Sequence, residues 1–316
     1  MTTSARPSAP RWRTLNLARR VGYALLPGDA FSYILHFRPR EWPIMIAHTS
    51  IGFIIAIGVR AMTHGVQLDT YLLALLAWVG CLNAGTLALN SAFDHDEGDI
   101  GYLDAPPPPP KRLAAVSIGL MAVGQLLSFV LPIGFAIAYA ICFAMSVAYS
   151  VPPIRLKAVA GADWVINIVG VGVLTPFAGW SASGMSLRPD GLWIMIGFGC
   201  LFGSLYPLTQ IYQFEEDSTR GDRTLARMLG IGTSLTIAAI AAALAFAAFW
   251  RALWLAGPTT VSRFALTVAG VGWAIVLGGW VLRHRRMTSE QHKAGMYRAL
   301  AVWALTDVAM VVAFAL

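Results

Sequence analysis

The sequence predicts an all-α fold: a polytopic membrane protein with nine transmembrane helices and a polar site on its cytoplasmic side. Three observations predict it. Hydrophobic residues make up 57% of the 316 residues and charged residues only 12%, with a mean hydropathy of +0.64. A soluble domain typically carries about 25% charged residues. Apolar runs close to the roughly 20 residues that cross a bilayer recur along the chain. The few charges gather between those runs, with Lys and Arg concentrated in alternate loops.

Residues 1–41 carry Arg6, Arg11, Arg13, Arg19, Arg20, Arg38 and Arg40 and lack the continuous apolar stretch of a signal peptide. They read as a basic cytoplasmic segment, part of it an amphipathic surface helix. Residues 42–316 read as the transmembrane domain, with spans at 43–59, 70–92, 113–131, 133–150, 162–182, 191–212, 231–250, 261–282 and 297–316. Pro132 and Gly134 mark a tight turn between the third and fourth.

With the N-terminus inside, 19 of the 23 Lys and Arg residues fall in cytoplasmic segments. The outer loops keep only Arg60, Arg188, Arg251 and Arg263. This asymmetry supports a multi-pass protein of the cell's inner membrane, with the C-terminus on the opposite side. It also accounts for the net charge of +7 without nucleic acid as a partner; the bilayer is the partner. Cys81, Cys142 and Cys200 lie in apolar runs without disulfide or zinc spacing. The sequence is silent on oligomeric state.

Nine of the 16 acids sit in two stretches on the cytoplasmic face. The first, after the second span, runs NSAFDHDEGDIGYLDAPPPPPK from Asn90 to Lys111. It holds Asp94, Asp96, Glu97, Asp99 and Asp104, with Asp104 the outlying member. The second, after the sixth span, runs QIYQFEEDSTRGDRTLAR from Gln210 to Arg227 and holds Glu215, Glu216, Asp217 and Asp222. Carboxylates bunched at helix mouths repel and are costly to desolvate, so they call for a cation. Oxygen ligands at this density suit Mg2+, which usually shares its coordination with substrate phosphates. A third segment on the same face, YSVPPIRLK from Tyr149 to Lys157, adds Arg155 and Lys157.

This set suits a prenyl diphosphate, an anionic head on a hydrocarbon tail. Mg2+ between the clusters would neutralise the leaving diphosphate, and Arg155 and Lys157 would contact its oxygens. Phe93, Tyr149 and Tyr212 offer aromatic faces to an allylic cation. The competing readings are plainer: solvated acidic loops, and Arg155 and Lys157 as positive-inside anchors.

The arrangement resembles the UbiA superfamily of intramembrane prenyltransferases, from about residue 42 to the C-terminus. That family's first motif is Asn-x-x-x-Asp-x-x-x-Asp; Asn90 and Asp94 match it, Gly98 stands at the third position and Asp99 follows. Aligning Gly221, Thr224 and Leu225 with the second motif puts Asp217 on its second Asp and Gln213 on its first. The resemblance implies Mg2+-dependent transfer of an isoprenyl group from a prenyl diphosphate to a lipid-soluble acceptor of aromatic or quinone type. It implies metal ligation by Asp94, Asp96, Glu97, Asp99, Gln213, Glu216, Asp217 and Asp222. Diphosphate contacts then come from Asn90, Lys111, Arg112, Arg155, Lys157, Tyr212 and Arg223, and Asp94, Asp217 and Tyr149 are the catalytic candidates. Two alternatives follow from the altered motif positions: cyclisation of a prenyl diphosphate without an acceptor, or an isoprenoid-binding or transport relative without catalysis.

Overall fold

A computed structural model describes residues 11–94, 100, 103–159, 161–211 and 225–316. Among these the fold is helical, with no strand beyond an isolated bridge between Ile100 and Leu103. In chain order the principal helices are α1 (Leu17–Leu25), α2 (Ala30–His36), α3 (Trp42–Ile57), α4 (Leu68–Asp94), α5 (Leu113–Ser128) and α6 (Ile133–Ser150). They continue with α7 (Ala162–Ala182), α8 (Pro189–Ile211), α9 (Leu225–Ala256), α10 (Thr260–Arg283) and α11 (Ser289–Phe314).

Seven of the described helices, α4 and α6 to α11, are long and apolar enough to cross a membrane. This corrects the expected count of nine. The other two segments, α3 and α5, are apolar helices of 16 residues each. At 1.5 Å per residue they reach about 24 Å, short of the roughly 30 Å hydrocarbon core. The overcount has a physical cause. Phe129, Val130 and Leu131 are apolar but form the turn after α5, and hydropathy does not separate an apolar turn from another helical turn. Gly58, at φ 84°, ends α3 just as early.

Helix boundaries follow local chemistry. Thr259 and Ser262 form a capping box at the start of α10, and Thr288 and Gln291 form one at α11. Pro43 sits in the first turn of α3, where its missing N–H costs nothing.

The bundle packs as two cores that share α3 and α7. One gathers Ile51, Trp180, Phe198, Phe249, Trp273 and Trp303 from α3 and α7 to α11. The other gathers Phe53, Trp78, Leu89, Met121, Phe135 and Tyr139 from α3 to α6, with Ala178 of α7. At the shared seam the backbones touch. A Cβ on Gly52 would lie 1.8 Å from the Pro176 carbonyl oxygen, and one on Gly179 would lie 1.9 Å from that of Thr49. Small residues there allow the close helix approach that membrane packing favours.

Three spans depart from regular α-helix: α9 breaks at Gly230, where φ is 77° and ψ 159°, and two others widen. In α4, Leu76–Asn83 is π-helical, and in α7 so is Ile168–Leu174. Such wide turns are rare and are frequent at functional sites. The Trp78 indole N–H donates to Thr175 Oγ1 at 3.3 Å, and Thr175 donates to the Gly170 carbonyl at 3.0 Å. The two wide segments are thereby tied across the bundle.

Candidate active site

The last turns of α4 place Asn90 and Asp94 four residues apart, hence on one helix face. Opposite them runs the segment after α6. Its backbone turns through Arg155 at φ 37°, a left-handed conformation that costs a residue with a side chain about 1 kcal/mol. A short 3-10 turn, Leu156–Ala158, follows. Lys157 Nζ donates to Asn90 Oδ1 at 3.0 Å and forms an ion pair with Asp94 Oδ1. Arg155 Nη2 lies 3.4 Å from the same carboxylate oxygen. Lys157 and Asp94 are mostly buried, while the Arg155 side chain is 45% exposed. Two cations thus converge on the Asp94 carboxylate, and both are side chains of the kind that bind phosphate oxygens.

Of the expected site residues, the structure therefore brings together Asn90, Asp94, Arg155 and Lys157. Lys111 and Arg112 are exposed in the turn ahead of α5. Asp96, Glu97, Asp99, Tyr212, Gln213, Glu216, Asp217, Asp222 and Arg223 lie outside the described residues. Asp104 is 56% exposed and lies 3.4 Å from Arg40.

Among the described residues no group of three His, Cys, Asp or Glu side chains is placed to hold a metal. The donor pair that is present nevertheless suits a hard cation. The carboxylate of Asp94 and the amide oxygen of Asn90 converge on one ammonium, so a positive charge already sits between them.

Tyr149 belongs to a second polar group that sequence reading missed. Its hydroxyl lies 3.5 Å from that of Tyr206, which donates to Asp163 Oδ2 at 3.2 Å. Gln210 Nε2 donates to the same oxygen at 3.1 Å. The other carboxylate oxygen accepts the Gly161 N–H at 2.9 Å. Asp163 is only 4% exposed, in the first turn of α7, where the helix dipole favours an acid. The available signal was one acid at the head of an apolar span, in a chain with few acids.

Between these groups opens a cavity with about 570 Å³ of empty space, counting its open mouth. Met45, Trp78, Leu82, Cys142, Met145 and Ile166 supply apolar lining; Asn83, Thr86, Ser146, Tyr149, Asn167 and Thr175 supply polar groups. Both π-helical segments face it through Asn83 and Val171. Asn83, Thr86, Asn90 and Asp94 are spaced three, four and four apart, so one stripe of α4 runs from the cavity to the charged mouth. The Thr86 and Ser146 hydroxyls are 2.7 Å apart. Asn83 Nδ2 is buried and has no hydrogen-bond partner among the described residues, a costly state for an amide.

Comparison with known proteins agrees with this architecture. A digeranylgeranylglyceryl phosphate synthase structure superposes with a TM-score of 0.68 at 16% identity, over 89% of this chain and 97% of that one. A UbiA homologue from Archaeoglobus fulgidus bound to GPP and Mg2+ superposes with a TM-score of 0.64 at 18% identity, over 87% of this chain and 99% of that one. The same homologue bound to DMAPP and Mg2+ gives 0.63 at 17% identity, over 88% and 99%. No curated protein sequence matches the chain. The sequence model of the UbiA prenyltransferase family matches residues 49–303. The chain therefore belongs to the UbiA prenyltransferase family, and by that membership it is a prenyltransferase.

Proposed function

We propose that this protein transfers an isoprenyl group from a prenyl diphosphate to a lipid-soluble acceptor, of aromatic or quinone type, and releases diphosphate. The observation that carries this is the stripe on α4: it joins a doubly cationic mouth at Asp94 to a largely apolar cavity at Trp78. A diphosphate head suits the first and a hydrocarbon tail the second.

Lys157 and Arg155 hold the diphosphate oxygens, giving up contact with Asp94 as they do so. Asp94 and Asn90 would hold Mg2+, together with the acids expected at 96, 97, 99, 216, 217 and 222 and with Gln213. Bound Mg2+ supplies charge neutralisation at the leaving group. The prenyl C–O bond breaks with its electron pair leaving on the diphosphate. The acceptor carbon or oxygen supplies the pair for the new bond and loses a proton. Tyr149, held through Tyr206 and Asp163, presents its ring to the allylic centre, while the apolar lining keeps water away.

With the short helices α3 and α5 counted as passes, for which the bilayer thins locally, the charge distribution supports a multi-pass inner-membrane protein whose Asp94 end is cytoplasmic, with the C-terminus outside. Residues 42–316 form the catalytic body, and 1–41 form a basic segment whose described part docks on it, Arg38 donating to Ser91 at 3.2 Å.

The test is diphosphate release by the purified protein from prenyl diphosphates of several lengths, with and without lipid-soluble phenols. Release that needs Mg2+ and yields a prenylated acceptor is expected. Cyclised product without acceptor, or no release from any chain length, would overturn the proposal.

A further inference from the structure

We infer that α1 lies in the lipid–water interface beside the Asp94 end of the bundle, and that Arg19 ties it to the proline-rich loop that ends the first acidic stretch. The N-terminal segment thus couples the bilayer surface to that loop. The contact requires only a membrane-spanning bundle and is independent of the chemistry at Asp94.

Helix α1 has two unlike sides. Leu17, Val21 and Leu25, four residues apart, form a stripe that is 68%, 45% and 74% exposed. Arg19, nearly opposite on the helical wheel, is 5% exposed. Its guanidinium donates to the Ala105 carbonyl at 2.7 Å and to the Asp104 carbonyl. The helix is anchored by its own chemistry: Asn16 caps it by accepting the Arg19 N–H at 3.0 Å, and Tyr23 pairs with Ser32 of α2 at 2.9 Å. Helix α2 grips the same loop one step further on, with His36 Nε2 3.1 Å from the Pro107 carbonyl oxygen. Because a carbonyl only accepts, His36 carries its proton on Nε2 here.

The position and charge of α1 specify what covers the stripe. The gripped loop lies between the end of α4 at Asp94 and the start of α5 at Leu113, so α1 sits at the rim of the bundle where the bilayer surface falls. Residues 1–28 contain five Arg and no acid. Arg13 and Arg20 are exposed. An apolar stripe flanked by Arg matches acyl chains below and anionic headgroups above.

The experiment uses the full chain in nanodiscs of mixed phosphatidylcholine and phosphatidylglycerol. Single cysteines at 17, 21 and 25, with one at 20 as the flank, carry a nitroxide, and the unsubstituted chain labelled in parallel reads the native cysteines. Higher accessibility to oxygen than to a water-soluble nickel complex is expected at 17, 21 and 25, with the reverse at 20. Nickel-type accessibility at all four positions overturns the assignment. So does low accessibility to both probes, which would mean a second copy of the chain covers the stripe. Amide exchange at residues 103–105 and 111–113 reads the coupling. Arg19→Gln removes charge-assisted bonds and should speed exchange there about tenfold. The Leu17→Gln, Val21→Gln, Leu25→Gln variant should do the same in nanodiscs. Faster exchange from Arg19→Gln with none from the stripe variant would sever the link between bilayer and loop.

Discussion

Two openings among the described residues differ in kind, and the larger of the pair is the chemically poorer. Between α9 and α10 runs a groove with about 950 Å³ of empty space, lined by Ala, Gly, Leu, Val, Phe246, Trp250 and Trp273, with Thr267 as its one hydroxyl. The cavity beside α4, α6 and α7 holds about 570 Å³ yet has six polar side chains on its wall. Regular helix borders the groove, whereas two π-helical segments border the cavity. In a membrane an apolar groove is filled by hydrocarbon at no cost. The polar-lined cavity, by contrast, keeps the buried Asn83 amide without a partner among the described residues, a group that a ligand would satisfy. Volume therefore says little about where chemistry occurs; interrupted helices and unmet polar groups say more.

The sharpest way to break this contrast is at the mouth. Asp94→Ala removes the carboxylate on which Lys157 and Arg155 converge. Diphosphate release should fall at least about a hundredfold, the scale of losing one charge-stabilising group. An unchanged rate would detach the mouth from the chemistry. Lys157→Gln comes next. It leaves a shorter, neutral amide in place of the ammonium, and kcat/KM should drop about ten- to a hundredfold, chiefly through KM. A change in kcat alone would place Lys157 away from the ground-state diphosphate.

Smaller effects sharpen the comparison of the openings themselves. Asn83→Ala removes the buried amide that has no described partner in the cavity. We expect a loss of about threefold to tenfold in kcat/KM, the worth of one neutral hydrogen bond to a ligand. Thr267→Val, the matching change in the groove, should leave kcat/KM where it was. If the two variants behave alike, the polar wall of the cavity has no part in recognition.

These residues differ in how openly the sequence displays them. Asn90, Asp94, Arg155 and Lys157 stood out because charge is scarce in an apolar chain, and each survivor implies a reason. The path from Asp163 to Tyr206 and Gln210 did not. Single polar residues 43 and 47 positions apart carry no local sign that they meet. The π-helical turns were equally hidden, since Leu76–Asn83 is as apolar as the helix around it. The membrane architecture was legible from hydropathy, but the lengths of α3 and α5 were not, because apolar turns imitate helix. Docking of α1 was illegible for a different reason: Arg19 binds backbone carbonyls, which every residue possesses.

The neighbouring contact of α2 supplies a different kind of effect, on stability rather than rate and set by pH. Burial holds the pKa of the His36 imidazole down at about 4, with Arg38 acting in the same direction and the Pro107 carbonyl against it. The unfolded chain would protonate it near pH 6.5. A depressed pKa means that the folded state takes up the proton less readily than the unfolded one. The stability gained from neutral His36 is therefore complete above about pH 6.5 and is lost as pH falls towards 4. The total at stake is about 3 kcal/mol. The thermal midpoint in detergent should stay flat above pH 6.5 and decline between 6.5 and 4. His36→Gln retains a donor for Pro107 but does not titrate, so its decline over that interval should be shallower. An equal decline in both proteins would assign the acid sensitivity to another group and leave the grip of α2 on the proline-rich loop insensitive to pH.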